Sequence, residues 1–249
     1  NDLTKIGAGT LHLGSGTATL GALTISAGAL TSTSGTMNVA GNFTNNSTFN
    51  NNSGTVVFNG TTQALGGSSS STFNYLTVSS SASTTLGINT SVVADLNVTS
   101  GTFDLGSYTC NRTASGGTLT VANGATLAIG GTNSMPANYA THTLGNTSTV
   151  WYNGAAQTVT PETNSGYGNL TLSGTGSKTI DSGAAVTVNS NLATGNLLTI
   201  ESSGPSSSGS LIVRGSSAGT LTYNRQLRTE AGYGDYQYIS SPVGSNTAT

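Results

Sequence analysis

The sequence predicts an all-β fold, a right-handed parallel β-helix (β-solenoid) whose coils, one strand spacing apart, number roughly ten to twelve. Three observations predict it. Short alternating runs of Leu, Val and Ile recur along the whole chain, a long stretch repeats itself at a fixed offset, and only 6% of the 249 residues are charged.

The alternating runs set the element type. Leu11-His12-Leu13, Leu23-Thr24-Ile25, Thr55-Val56-Val57-Phe58, Tyr75-Leu76-Thr77-Val78, Leu119-Thr120-Val121 and Ala185-Val186-Thr187-Val188 are typical. A two-residue period places one side chain in two on a buried face. Gly, Asn and Ser clusters separate the runs, and no 3.6-residue stripe persists for a helix. Ser and Thr also disfavour helix interiors, because their hydroxyls compete for the backbone.

The repeat sets the architecture. Thr55-Val56-Val57-Phe58-Asn59-Gly60-Thr61-Thr62-Gln63 matches Thr149-Val150-Trp151-Tyr152-Asn153-Gly154-Ala155-Ala156-Gln157, an offset of 149 − 55 = 94 residues. Without a gap, the same offset carries Leu76 onto Leu170, Val92 onto Val186, Asn97 onto Asn191 and Gly101 onto Gly195, so residues 55–101 match 149–195. Fixed-period self-similarity marks arrays and solenoids, and this period amounts to roughly four coils of a β-helix rising ~4.8 Å each. Tandem β-sandwiches are the rival, at a similar length per domain. The low aromatic content and the single Trp151 argue for a narrow solenoid core instead. Residues 1–222 are therefore read as solenoid, with Asn-rich turns such as Asn42 to Asn52 forming ladders along the axis. Residues 223–249 gather Arg225, Arg228, Glu230 and Asp235 near Tyr233, Tyr236 and Tyr238, and read as a cap or the start of the next module.

Composition excludes several function classes. The net charge is −2, and the six basic residues (Lys5, Arg112, Lys178, Arg214, Arg225 and Arg228) are scattered. Nucleic acid, which needs a Lys/Arg-rich face, is excluded. No apolar run approaches the ~18 residues of a membrane span. The chain starts at Asn1 without Met and shows no leader, and so reads as a mature segment of a longer protein. Cys110 is alone, so no intrachain disulfide forms, and it reads as a small buried residue.

Certain motifs carry a resemblance. Gly41-Asn42-Phe43-Thr44-Asn45-Asn46-Ser47-Thr48-Phe49, then Gly54-Thr55-Val56-Val57-Phe58-Asn59-Gly60, then Phe73-Asn74-Tyr75-Leu76-Thr77-Val78, resemble the repeat unit of very large secreted surface proteins of the Bacteroidetes. Tyr238-Ile239-Ser240-Ser241-Pro242-Val243 resembles the segment that often follows such repeats, ahead of further modules and a type IX secretion signal. The resemblance covers most of the chain. It implies export through the secretion machinery, an extracellular or cell-surface location, neighbouring surface-protein modules and a structural or adhesive role. It brings no catalytic residues, and the sorting domain itself is absent from the 249 residues.

The search for chemistry returns no catalytic, cofactor-binding or metal residues. Asp95 and Asp104 are the two carboxylates whose spacing suits a single coil, and an inverting hydrolase would hold its acids ~6.5–9.5 Å apart. Asp95 aligns with Asn189 and Asp104 with Leu198 across the repeat, so turn roles are expected for both. His12 and His142 are far apart and have no acidic neighbours in sequence, which argues against a metal site. Pairs such as Thr17/Thr19, Thr118/Thr120 and Thr158/Thr160 would present hydroxyl rows, but their uneven sequence spacing argues against an ice-binding array. The expected function is a non-catalytic segment of a surface stalk or filament, with self-association or polysaccharide as further partners. A carbohydrate-binding or carbohydrate-degrading β-helix is the alternative, and an ice-binding solenoid a more distant one.

Overall fold

The structure is a computed structural model that describes residues 1–162, 164–204 and 206–226. Among these no helix forms, and the strands stack in parallel as a β-solenoid of about 11 coils. Most coils contribute a strand to each of three faces. In the first coil these strands are Leu3–Lys5, Thr10–His12 and Ala18–Leu20. In the second they are Leu23–Ile25, Ala29–Thr31 and Thr36–Val39. The only antiparallel pair among the described strands is the small excursion Ser202–Gly204 with Ser207–Ser208, so the sandwich alternative is excluded.

The first face is the continuous one. Its ladder runs through eleven strands, from Leu3–Lys5 to Ser217–Ala218. Coil length follows from register: Leu3 pairs with Leu23 and Leu23 with Phe43, 20 residues apart each time, while Phe103 pairs with Leu127, 24 residues on. The slack is taken up at the corners. Two long strands, Tyr75–Leu86 and Leu96–Asp104, run through a corner, with Gly101 at positive φ and a register irregularity between them, and pass from the third face of one coil to the first face of the next. The last described strand, Leu221–Tyr223, lies on Leu198–Ile200. Most of the expected cap or next module, with Arg228, Glu230 and Asp235, lies outside the described residues.

Alternate residues of every face point inward into a core of Leu, Val, Ile and Phe. Each fully buried aliphatic of this kind stabilises the fold by ~1.5–3 kcal/mol. The third coil is filled from all three faces by Phe43, Phe49 and Phe58, and Phe73 of the next coil stacks on them. Ring centroids lie 5.2–6.1 Å apart, mostly edge to face, the favoured geometry for aromatic quadrupoles.

The 94-residue repeat has an outcome its length alone did not predict. Val56 lies on the third face, in the column Val56–Leu76–Leu96–Leu119. Its repeat mate Val150 lies on the first face, in the column Phe103–Leu127–Val150–Leu170. The repeat therefore advances four coils and one further face. What it preserves is a strand, a corner and the start of the next strand. Gln63 and Gln157, 2% and 3% exposed, show this directly. Gln63 accepts from Gly60 N at 2.7 Å and donates to Val39 O and Gly41 O. Gln157 accepts from Gly154 N at 2.9 Å and donates to Ile129 O and Asn133 O. Glycine is required at both corners, because a Cβ on Gly60 would meet the Ala40 carbonyl and one on Gly154 the Gly131 carbonyl.

Asparagine works differently from expectation. In the Asn-rich stretch the side chains bond to the neighbouring coil's backbone and hydroxyls, not to one another. Asn42 Oδ1 accepts from Ala64 N at 2.8 Å, Asn46 Oδ1 from Ser68 N at 2.9 Å, and Asn52 Nδ2 donates to Ser32 O at 2.9 Å. A direct Asn–Asn rung occurs between Asn191 Nδ2 and Asn169 Oδ1, 2.9 Å. The reason is geometric: corners of unequal length leave amides and carbonyls without ladder partners, and a short amide side chain satisfies them.

Candidate functional site

Three sets of side chains have the chemistry of a candidate site. The first is the carboxylates. Asp95 sits just before the third-face run Leu96–Val98, and Asp104 ends the same strand on the first face, beyond a corner. The structure does not bring the two together as an acid pair on one face. Asp95 Oδ1 accepts from Thr118 N on the next coil at 2.8 Å, and Asp104 Oδ1 accepts from Gly106 N at 2.9 Å. Asp2 and Asn42 make the same bond as Asp95, to Ala22 N and Ala64 N, each from the position just before an inward Leu or Phe. Asp and Asn interchange there, so the carbonyl-type oxygen is the feature the corner uses.

The second set is one that sequence reading missed. His142 and Glu162, 20 residues apart, meet at 2.8 Å through Nδ1 and Oε2, with side chains 15% and 5% exposed. His142 occupies an inward column otherwise filled by Met37, Val56, Leu76, Leu96 and Leu119. In the eighth coil the chain leaves the second face after Val159 and reaches the third only at Tyr167, which bridges to Val188. Glu162 lies on this detour and closes over His142. Beneath them Tyr152 and Tyr167 share a hydroxyl contact of 3.2 Å, and Tyr167 donates to Thr160 O at 2.6 Å. Burial raises both phenols above their ordinary range, and the Glu162 carboxylate adds to the rise. His142 Nε2 is buried without a hydrogen-bond partner. Two ligands do not make a metal centre, and among the described residues no group of three or more His, Cys, Asp or Glu converges. His12 lies far away on the second face of the first coil.

The lysines form the third set. Lys178 Nζ donates to Gly154 O, Ala155 O and Thr175 O, and burial lowers its pKa. Lys5 Nζ likewise bonds Ile6 O, Gly7 O and Ala27 O. Both of the chain's lysines thus close corners, collecting carbonyls that the ladder leaves over. Cys110 is fully buried, its thiol pushed up to about 12, and is not a reactive thiolate.

The outward surface of the third face is the most regular feature. One column runs Thr19, Asn38, Val57, Thr77, Asn97, Thr120, Thr143 in strict register. A second carries Thr36, Thr55 and Tyr75, then Asp95, then Thr118 and Thr141. Despite their uneven sequence spacing Thr17/Thr19 and Thr118/Thr120 fall on this face, because coils of different length place their strands in register, whereas Thr158 lies on the second face. Among the described residues no helix is long and apolar enough to cross a membrane. Comparison of the chain with protein-family models, with curated proteins and with solved structures finds no match.

Proposed function

We propose that the chain is a non-catalytic, structural and adhesive segment of an extracellular surface stalk or filament. The observation that carries this reading is the first-face ladder, eleven strands in unbroken parallel register. Such a ladder makes a rod in which backbone hydrogen bonds run along the long axis, at ~4.8 Å per coil. The side chains that carry chemistry elsewhere are used as staples: Asp95, Asp104, Lys5 and Lys178 each satisfy corner backbone groups. The low charge leaves association of such rods insensitive to salt. The resemblance of Gly41 to Val78 to Bacteroidetes surface repeats supports export by the type IX route and attachment to further surface modules.

Small-angle scattering and electron microscopy of purified chains carrying one, two and three copies of the solenoid test it. Particles should lengthen by roughly 50 Å per copy, from ten coil spacings. Globular particles whose radius grows only slowly with copy number contradict the reading.

A further inference from the structure

On the third face, Tyr75 is the most exposed aromatic side chain among the described residues, at 39%. Its side chain stands at the exposed start of the strand Tyr75–Leu86. On the next coil stands Asp95, whose backbone carbonyl receives Leu76 N at 3.0 Å, so the two residues are neighbours along the axis. Thr77 and Asn97 pair in the adjoining column. The result is an outward patch with one ring, one carboxylate, one amide and one hydroxyl on two successive rungs. Thr118 and Thr120 continue it on the following coil.

We infer that this patch binds an uncharged, extended polysaccharide lying along the solenoid axis, with Tyr75 as the stacking anchor. Three features select that ligand. The coils repeat every ~4.8 Å, close to the advance of one sugar residue in an extended glycan, so successive rungs meet successive sugars. A Tyr ring offers an apolar plane and a polar tip together, which suits the face of a pyranose. Asp95 uses Oδ1 for Thr118 N, and its other oxygen and the Asn97 amide supply acceptors and donors for sugar hydroxyls. Charge favours a neutral glycan over an acidic one. Asp95 is an anion, and the Arg112 guanidinium, at the end of a second-face strand, is directed to the carbonyls of Ala94 and Ala114. The Thr columns alone would also suit an ice plane. The Tyr75 ring projects from the face and prevents flush contact with a crystal, which favours the glycan.

The inference gives the adhesive part of the stalk reading a ligand class and rests on that reading for its extracellular setting. Affinity electrophoresis of the 249-residue chain through gels containing agarose, a β-1,4-glucan, a β-1,3-glucan, a mannan or alginate tests it. Retardation by a neutral polysaccharide and none by alginate is expected. Tyr75→Ala and Asn97→Ala should each weaken that retardation, Tyr75→Ala by up to about tenfold. Thr179→Ala on the second face should leave it unchanged, with circular dichroism confirming folding of all three. Absence of binding to every neutral polymer, equal binding by folded Tyr75→Ala, or ice recrystallisation inhibition without glycan binding overturns the inference. Rod-shaped particles that bind no glycan overturn it while leaving the stalk standing.

Discussion

The third and fourth coils are filled by Phe43, Phe49, Phe58 and Phe73, and their first- and third-face ladders run on without a gap. The seventh and eighth coils are filled by Tyr139, Tyr152, Tyr167 and the His142–Glu162 pair, and only their first-face ladder is continuous. There the second face has no strand between Cys110–Arg112 and Gln157–Thr158, and the third-face ladder stops at Tyr139–Leu144. Side chains carry the load the backbone drops. Ser190 Oγ reaches Asn146 O at 2.7 Å, and Glu162 holds His142. Burial of apolar side chains holds both regions, and the second adds a buried His–Glu pair and paired tyrosines, contacts whose loss strands a buried partner.

That contrast can be sharpened by substitution. The largest effect is expected from Phe43→Ala, which opens a cavity bordered by three rings and should cost about 3–5 kcal/mol in urea unfolding. Next is the polar junction. Glu162→Ala leaves His142 buried without its partner and should cost on the order of 3 kcal/mol, whereas the double variant His142→Leu/Glu162→Leu, which continues the aliphatic column, should recover most of that loss. A double variant as unstable as the single would show that the pair contributes more than its own satisfaction.

Alkaline pH probes the same junction. Burial raises the Cys110 thiol to about 12, and raises the phenols of Tyr139, Tyr152 and Tyr167. For such groups the unfolded chain loses protons first, so their stabilising contribution is whole below the unfolded pKa values and falls as pH rises past them. Thermal unfolding should therefore weaken from about pH 8.5 upward through the thiol and more steeply above about pH 10 through the phenols. Cys110→Ala should remove the first part of that decline. The smallest effect is expected from Asp95→Asn, within ~0.5 kcal/mol, since Asn42 makes the equivalent bond with an amide oxygen.

The solenoid was legible because burial imposes the two-residue period on every inward column, as at Leu23/Ile25 and Leu119/Val121. Corner chemistry was partly legible. Asn42 and Asp95 read as turn residues, yet the groups they satisfy lie about one coil away, 22 and 23 residues on, at a distance the variable corners hide. The His142–Glu162 pair was not legible. His142 alternates with Thr141 and Thr143 like any strand residue, and Glu162 lies on a detour with no periodic signal. The third-face columns were obscured for the same reason, since Thr118/Thr120 and Thr17/Thr19 align only after coils of unequal length are wound.

Amide hydrogen exchange, read by mass spectrometry peptide by peptide, tests the central claim that inter-coil ladders hold the rod and that one face alone carries it through the seventh and eighth coils. Slow exchange is expected across Leu23–Ile25, Tyr75–Leu86, Leu96–Asp104 and Thr149–Tyr152, with faster exchange at residues 131–138, 160–162 and 164–166. Uniform protection through those last segments, or exchange faster at Thr149–Tyr152 than beside it, would contradict the account.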